Sequence, residues 1–208
     1  MSDNAVATYV QAVESFRELV REIAQDRWDG PGLGEWDLRA LVGHTSRSLT
    51  TVTTYLADPA ETEDIASPQE YYAYVKSYTA QAGGAAVVAR GRAAGLELGA
   101  EPAKAVDALA TAAIGAVGAV GAAEDPLVTV IGGLGMRLHA YLPTRTFELA
   151  VHGLDIAAAT GIPYTPPDDV TAEAAVLAAR IAARLGTAVP VLTALTGRTA
   201  LPPGFSVV

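Results

Sequence analysis

The stretch RTFELAVHGLD, residues 145–155, places an acid, a histidine and a second acid at helical spacing inside an apolar segment. Glu148 and His152 are four residues apart, so on a helix they lie on one face, about one turn from each other. Such a pair is commonly a hydrogen-bonded contact on a helix surface. It becomes a metal site only when another element supplies a further ligand, so the rest of the chain decides between the two interpretations.

The flanking residues predict a long helix around this pair. It begins near His139 or Ala140, tolerates Pro143 in its first turn, and ends at Thr160, because Gly161 is typical of a helix C-terminus. In several other segments apolar residues recur every three to four positions, which predicts further amphipathic helices. These further helices are predicted at residues 3–26, 36–56, 67 into the nineties with a loosened step at 83–84, 101–122 and 169–185.

Two local signals add detail to this pattern. Ser67, Pro68 and Glu70 form a capping signature that predicts the start of the third helix. The segment LVTVIGGLGMRL, residues 127–138, departs from the helical pattern, because two short apolar runs flank a pair of glycines. That pattern predicts a small β-hairpin just before the helix that carries Glu148.

Long helices joined by modest loops predict an all-α fold, a four-helix bundle with extra short helices and a small hairpin before the last bundle helix. The length of 208 residues predicts a single domain, residues 1–208, with a short helical extension from about residue 165. Function in such bundles usually depends on inward-facing side chains that several helices share.

The composition argues against two classes of partner. The net charge is −9 and the only lysines are Lys76 and Lys104, so we expect no binding to nucleic acid. The most apolar windows fall short of the ~20 residues that a membrane span needs, and residues 1–10 lack the features of a signal peptide, so we expect a cytoplasmic protein. The chain contains no cysteine, which excludes a protein thiolate as nucleophile or metal ligand.

The candidates for a third ligand are the two other histidines. His139 lies near a predicted helix start, where a capping or solvent-facing role is expected. His44, within EWDLRALVGHTSRS, comes from a different helix, as bundle metal sites usually require. It lies at the edge of an apolar stripe together with Ser48, Thr51 and Tyr55, and helical periodicity allows this edge either to line a pocket or to face solvent.

Two segments together resemble a known family. EWDLRALVGH, residues 35–44, and RTFELAVHGLDIAAATG, residues 145–161, closely resemble the mycothiol-dependent maleylpyruvate isomerase family, within the DinB-like superfamily of metal-binding helical bundles. The segment LTGR, residues 195–198, also resembles the way many members end. The residues that carry the resemblance are Trp36, Leu41, His44, Arg145, Glu148, His152, Gly153 and Asp155.

The resemblance implies a divalent metal ion, with zinc preferred, held by His44, Glu148 and His152. Two imidazoles and one carboxylate match a zinc site with an open position, and the same ligand types also suit non-haem iron. Arg145 and Asp155 lie three residues before Glu148 and three after His152, on the same side of the helix. Asp155 is a candidate to accept the second ring N–H of a ligand histidine and Arg145 to brace Glu148, unless the two form ordinary salt bridges.

The resemblance also implies a chemistry. The protein would use mycothiol as a thiol cosubstrate, in an isomerase or S-transferase reaction in which a metal-bound thiolate attacks a small electrophile. The alternatives are a non-catalytic bundle that binds a metal or small ligand, and a metal-dependent hydrolase with Asp155 or His139 as its base. Few lysines and arginines lie near the motifs, so no clear pocket for a dianion is expected. The chain is expected to be a monomer or a homodimer.

Overall fold

A computed structural model describes residues 2–121 and 124–208, with only the backbone of residues 2–4 and 82. Its helices are α1 (Ser2–Arg21), α2 (Leu38–Leu56), α3 (Pro68–Ala82), α4 (Gly84–Glu97), α5 (Pro102–Gly118), α6 (Leu138–Thr160), α7 (Asp168–Arg184) and α8 (Ala188–Leu195). Two strands, β1 (Leu127–Val130) and β2 (Leu134–Arg137), form an antiparallel hairpin between α5 and α6. The prediction of a helical protein with a small hairpin before the last bundle helix is confirmed.

Four helices form the bundle itself. Both α1 and α2 pack against α5 and α6, so the four helices close a ring around one core. Helix α4 packs on α2 and helix α3 packs on α6, while α7 packs against α1, α3 and α6. Burial of each large apolar side chain stabilises the folded state by about 1.5–3 kcal/mol. The apolar faces that the sequence predicts for these helices therefore form the core. The large core side chains include Tyr9, Phe16, Leu41, Leu49, Leu142, Leu149 and Ile156.

Side-chain caps set the starts of α2 and α3. Asp37 Oδ1 accepts a hydrogen bond from the backbone N–H of Ala40 at 2.7 Å. Ser67 Oγ accepts one from the N–H of Glu70 at 3.4 Å, as the sequence predicts. The Glu70 carboxylate accepts from the N–H of Ala66 at 3.1 Å, one residue earlier than in a standard capping box.

The single helix predicted from residue 67 into the nineties is wrong, because the chain forms two helices there. Gly83 separates α3 from α4 with φ of 81° and ψ of 150°, a conformation that glycine adopts far more readily than other residues. The helical hydrogen-bond ladder stops at this residue. Gly83 lies between the two helices that cover the bundle. The break at this residue therefore affects which side chains of α3 and α4 reach the site described below.

Two other predicted helices differ in length from those observed. The first was predicted to reach residue 26, but α1 ends at Arg21 and a 3-10 turn follows at Gln25–Arg27. The amides of Glu22 and Ile23 bond to carbonyls three residues back, which tightens the chain and ends the α-helix. The helix predicted at residues 101–122 would end at a residue outside those that the structure describes, and the observed helix, α5, ends at Gly118.

The hairpin packs on the bundle through its buried face. Val128 and Met136 are almost fully buried and form single bridges to Pro59 and Ile65 in the segment after α2. The hairpin also contacts α2 and α6 directly. Among the residues that the structure describes, no helix has both the length and the apolar character needed to cross a membrane.

Candidate metal centre

Two bundle helices bring three ligand-type side chains together. His44 comes from α2, while Glu148 and His152 come from successive turns of α6, and one nitrogen or oxygen atom of each lies within 4.8 Å of the others. His152 Nε2 is 3.4 Å from Glu148 Oε2. The rings of His44 and His152 meet edge to face with 5.1 Å between their centroids. The packing of α2 on α6 therefore unites the three residues that the sequence singled out.

Asp155 orients the ring of His152. Asp155 Oδ2 is 2.9 Å from His152 Nδ1, which leaves Nε2 facing Glu148. Burial alone would lower the pKa of His152, but the hydrogen bonds with Asp155 and Glu148 and the charges of both acids raise it to about 9. Without a metal ion, His152 therefore carries a proton at neutral pH.

The environment of His44 has the opposite effect. Burial and the positive charge of His152 lower the pKa of His44 to about 4. Its ring packs on Trp36 with 4.6 Å between centroids, and Trp36 Nε1 donates a hydrogen bond to the carbonyl of Val88 at 3.0 Å. His44 is therefore a neutral imidazole at pH 7, which is the form that binds metal ions.

Tyr72 of α3 holds the Glu148 carboxylate, although no motif in the sequence around Tyr72 indicates this role. Tyr72 Oη donates to Glu148 Oε1 at 2.7 Å and is 3.2 Å from the carbonyl of Thr144. Burial alone would raise the pKa of Glu148, but the hydrogen bond with His152, the charge of Arg145 and the bond from Tyr72 lower it to about 2. Glu148 is thus ionised, with one oxygen bound by Tyr72 and the other facing His152.

These side chains fit a divalent metal ion. Two imidazoles and one carboxylate form a ligand set found in zinc enzymes, in which a fourth position stays open. Metal ligands also need hydrogen-bond partners that fix their orientation, and Asp155 and Tyr72 are in place to fix His152 and Glu148. The side chains of His152 and Glu148 are 16% and 21% exposed, which leaves room for approach from outside.

Arg145 does not brace Glu148 by a hydrogen bond in the described part of the chain. The hydrogen bond described for its side chain runs instead from Nε to Thr144 Oγ1 at 3.0 Å. The guanidinium carbon lies 5.5 Å from the ring centre of Tyr71 and 5.0 Å from that of Tyr141. Arg145 influences Glu148 through its charge rather than through direct contact.

A cavity of about 310 Å³ lies beside the cluster and is lined by His44 and Glu148. Arg47 of α2, Arg90 of α4 and Arg145 of α6 also line it. The expectation that the motifs lack nearby positive charge is therefore wrong. Arg47 lies three residues after His44 on the same helix face, a signal that the sequence offered. Arg90 carries no such signal, because only the packing of α4 brings it to this cavity.

The polar edge of α2 is buried at Ser48 and half-buried at Thr51 and Tyr55. Ser48 is almost fully buried and lines the cavity. Thr51 Oγ1 accepts a hydrogen bond from Tyr141 Oη at 2.8 Å, and the ring of Tyr55 packs on that of Tyr141 at 5.4 Å. Helical periodicity allowed this edge either to line a pocket or to face solvent, and Ser48 lines a pocket.

His139 lies outside the cluster, at the start of α6. Its Nδ1 is 3.5 Å from Asp125 Oδ1, and its backbone N–H donates to the same oxygen at 2.9 Å. Asp125 therefore satisfies an amide at the beginning of this helix. His139 belongs to this helix start and does not line the cavity beside the cluster.

The fold and the cluster define a class of protein, a four-helix bundle with two histidines and a carboxylate that could hold a metal ion. The chain belongs to the mycothiol maleylpyruvate isomerase N-terminal domain family, whose family model matches residues 9–157. The matched range includes all three members of the cluster and ends before α7 and α8. Comparisons with curated proteins and with solved structures found no match.

Proposed function

We propose that the protein is a divalent-metal-dependent isomerase or S-transferase that uses mycothiol to act on a small electrophile. Zinc is the preferred metal and His44, Glu148 and His152 are its ligands. The observation that carries the proposal is that this cluster lies against a cavity in a member of a mycothiol-associated family. A metal ion held by these residues would lower the pKa of a bound thiol from about 8.5 and would thereby supply a thiolate at neutral pH.

The surrounding residues prepare the ligands for this role. Asp155 holds the ring of His152 and Tyr72 holds one oxygen of Glu148, so both side chains keep a defined orientation. His44 remains neutral because burial and the nearby positive charge of His152 lower its pKa. An arrangement fixed before substrate binds reduces the reorganisation that the reaction would otherwise require.

The chain has no cysteine, so the nucleophilic sulfur comes from the cosubstrate. In isomerisation the thiolate would add to one carbon of a cis double bond conjugated to a carbonyl, and the electron pair of that double bond would move onto the carbonyl oxygen as an enolate. The resulting single bond would rotate, and return of the electron pair would expel the thiolate and restore the double bond. In S-transfer to such an enone the carbon–sulfur bond would remain and the neighbouring carbon would take up a proton, whereas an alkylating electrophile would lose its leaving group as the carbon–sulfur bond forms. Tyr71 lines the cavity and burial raises its pKa, so it stays protonated at neutral pH and is a candidate donor of that proton.

The test measures metal and thiol dependence together. Cobalt-substituted protein is expected to change its visible spectrum on addition of mycothiol and to show no such change with S-methylated mycothiol. Turnover of a panel of cis-enones and alkylating electrophiles is expected to require both the metal and the free thiol. A spectrum unaffected by mycothiol, together with no thiol-dependent turnover across the panel, would contradict the proposal and favour a non-catalytic metal-binding bundle.

Tyr72→Phe is expected to weaken zinc binding by about 10–100-fold, because the substitution frees one oxygen of Glu148 while leaving all three ligands present. Competition with a chromophoric chelator measures the affinity. Tyr74→Phe is the matched control, because Tyr74 lies on the same helix and does not line the cavity. Equal zinc affinity of the two variants would show that Tyr72 does not position the carboxylate.

A further inference from the structure

His44 differs from the two other members of the cluster in how its side chain is held. Each of the others has a hydrogen bond that fixes its orientation, with Asp155 in one case and with Tyr72 in the other. Within the part of the chain that the structure describes, His44 makes ring contacts with Trp36 and His152 but no hydrogen bond with a protein group. Histidines that bind metal ions almost always donate their second ring N–H to an acceptor. Packing therefore has to orient the ring of His44.

Trp36 lies along the face of the His44 ring. The two ring centroids are 4.6 Å apart and the ring planes are inclined by 32°, at a distance typical of stacked aromatic pairs. His152 meets the same ring at 84°, so it contacts the imidazole edge to face. Of these two neighbours, Trp36 is the one placed to limit rotation of the imidazole plane. It is half-buried and precedes the first residue of α2.

Helix α4 fixes the position of this indole. Trp36 Nε1 donates a hydrogen bond to the carbonyl of Val88 at 3.0 Å. The ring also lies against Gly91, where a Cβ atom would be 2.5 Å from Cε2 of the indole and 2.6 Å from Nε1. A side chain at residue 91 would therefore collide with the ring. The hydrogen bond and this close approach together hold the indole against the backbone of α4.

The backbone beside His44 is held by the same helix. A Cβ atom at Gly43 would lie 2.2 Å from the backbone nitrogen of Gly95, so α2 and α4 touch directly at the residue before His44. Helix α4 contributes none of the three ligand-type side chains. It nevertheless contacts both the backbone next to His44 and the indole that packs on the His44 ring.

We propose that Trp36 is a positioning residue, whose indole, anchored on α4, sets the direction in which His44 presents its ring nitrogen to the metal ion. Trp36 binds no metal itself and acts only through His44. As a statement about metal binding, this inference rests on the metal centre of the proposed function. The orientation of the ring follows from the contacts of Trp36 with α4 and does not depend on which reaction the protein catalyses.

Chelator competition on the full-length chain measures the effect on zinc affinity. Trp36→Leu is expected to weaken zinc binding by about 10–100-fold, the usual cost of losing a group that orients a ligand. Trp36→Phe keeps an aromatic face and loses the N–H donor, so its affinity should fall between those of Trp36→Leu and the wild type. Gly91→Ala retains the indole but displaces it, and should weaken zinc binding by about tenfold. This variant keeps the test informative if Trp36→Leu does not fold.

Two control variants match these changes. Trp28 is the other tryptophan of the chain, is 2% exposed and is not a member of the cluster. Because Trp28 is the more deeply buried, Trp28→Phe should destabilise the fold more than Trp36→Phe does. Gly84→Ala changes a glycine of α4 at which nothing lies within 4 Å of a Cβ atom. Both controls should retain wild-type zinc affinity.

Two spectra distinguish positioning from a general loss of stability. The visible bands of cobalt-saturated protein report the arrangement of the ligands, so Trp36→Leu and Gly91→Ala should shift them and Trp28→Phe should not. The ring-proton NMR signals of His44 in the metal-free protein report the nearby indole. They should move in the same two variants, because the ring current of the indole is lost or displaced.

Two results would overturn the positioning role. One is wild-type zinc affinity and cobalt bands in both Trp36→Leu and Gly91→Ala, and the other is an equal loss of affinity in Trp28→Phe and Trp36→Phe. The outcomes also separate this inference from the proposed function. The expected changes in the variants, in a protein without thiol-dependent turnover, would uphold the role of Trp36 and reject the function. Thiol-dependent turnover with a zinc affinity that Trp36→Leu and Gly91→Ala leave unchanged would do the reverse.

Discussion

Glu148→Gln is expected to lower zinc affinity by about 100-fold or more and to reduce thiol-dependent turnover at least as strongly. Changes to residues that only orient a ligand typically cost 10–100-fold, and this substitution removes the charge of a ligand itself. Glutamine keeps the size of the side chain and can still accept the hydrogen bond from Tyr72. The loss would therefore report on ligation rather than on packing. Mass spectrometry of bound metal and chelator competition measure the effect.

Glu18→Gln provides the control, because Glu18 is an exposed acid on α1 and is not a member of the cluster. It should retain wild-type zinc affinity and turnover. Assays of Glu148→Gln at saturating zinc separate weak metal binding from a defect in the reaction. Full zinc occupancy of Glu148→Gln at wild-type affinity would remove Glu148 from the ligand set and, with it, the proposed centre.

Gly43→Ala is expected to destabilise the fold by about 1–3 kcal/mol, the usual cost of overpacking a filled interior. A Cβ atom at Gly43 would lie 2.2 Å from the backbone nitrogen of Gly95 and 2.5 Å from the carbonyl carbon of Ala94. These are backbone atoms, so α2 and α4 would have to separate. Gly43 precedes His44, and α4 carries Arg90, so the same shift should disturb the cluster and the cavity. Urea denaturation and zinc titration measure the two effects.

Gly115→Ala is the matched comparison and should change the free energy of unfolding in the opposite direction. Nothing lies within 4 Å of a Cβ atom at Gly115, which is within α5. Alanine should stabilise that helix by about 0.5–1 kcal/mol, because glycine loses more conformational freedom on folding. If Gly43→Ala proved as stable as Gly115→Ala, the close contact between α2 and α4 would not constrain the fold.

Much of the fold could be predicted because its elements carry local signals. Apolar periodicity identified the bundle helices, Ser67 marked the start of α3, and the paired glycines at 132–133 marked the hairpin. At residues 83–84 the sequence predicts only a loosened step in one helix, because a glycine pair within an otherwise helical pattern does not reveal whether φ becomes positive. That choice depends on how α3 and α4 pack against the rest of the protein.

The candidate site likewise combines residues whose proximity the sequence predicts with residues that only the tertiary structure brings together. Glu148, His152 and Asp155 lie within two turns of one helix, so their mutual proximity follows from helical geometry. Tyr72 and Arg90 come from α3 and α4, in a region without a distinctive motif, and nothing in their local sequence separates them from other tyrosines and arginines. Their roles depend on which helices cover the bundle at this point.

By itself, the sequence determined the helices, the pairing of Glu148 with His152, and, through the motif around His44, the family. Tertiary structure alone decided that His44 reaches that pair, that Tyr72 binds Glu148, and that three arginines surround one cavity. The physical reason is the range of each interaction. Helical hydrogen bonding and residue periodicity act over a few positions, whereas contacts between helices depend on how closely their backbones approach, as at Gly43 and Gly95.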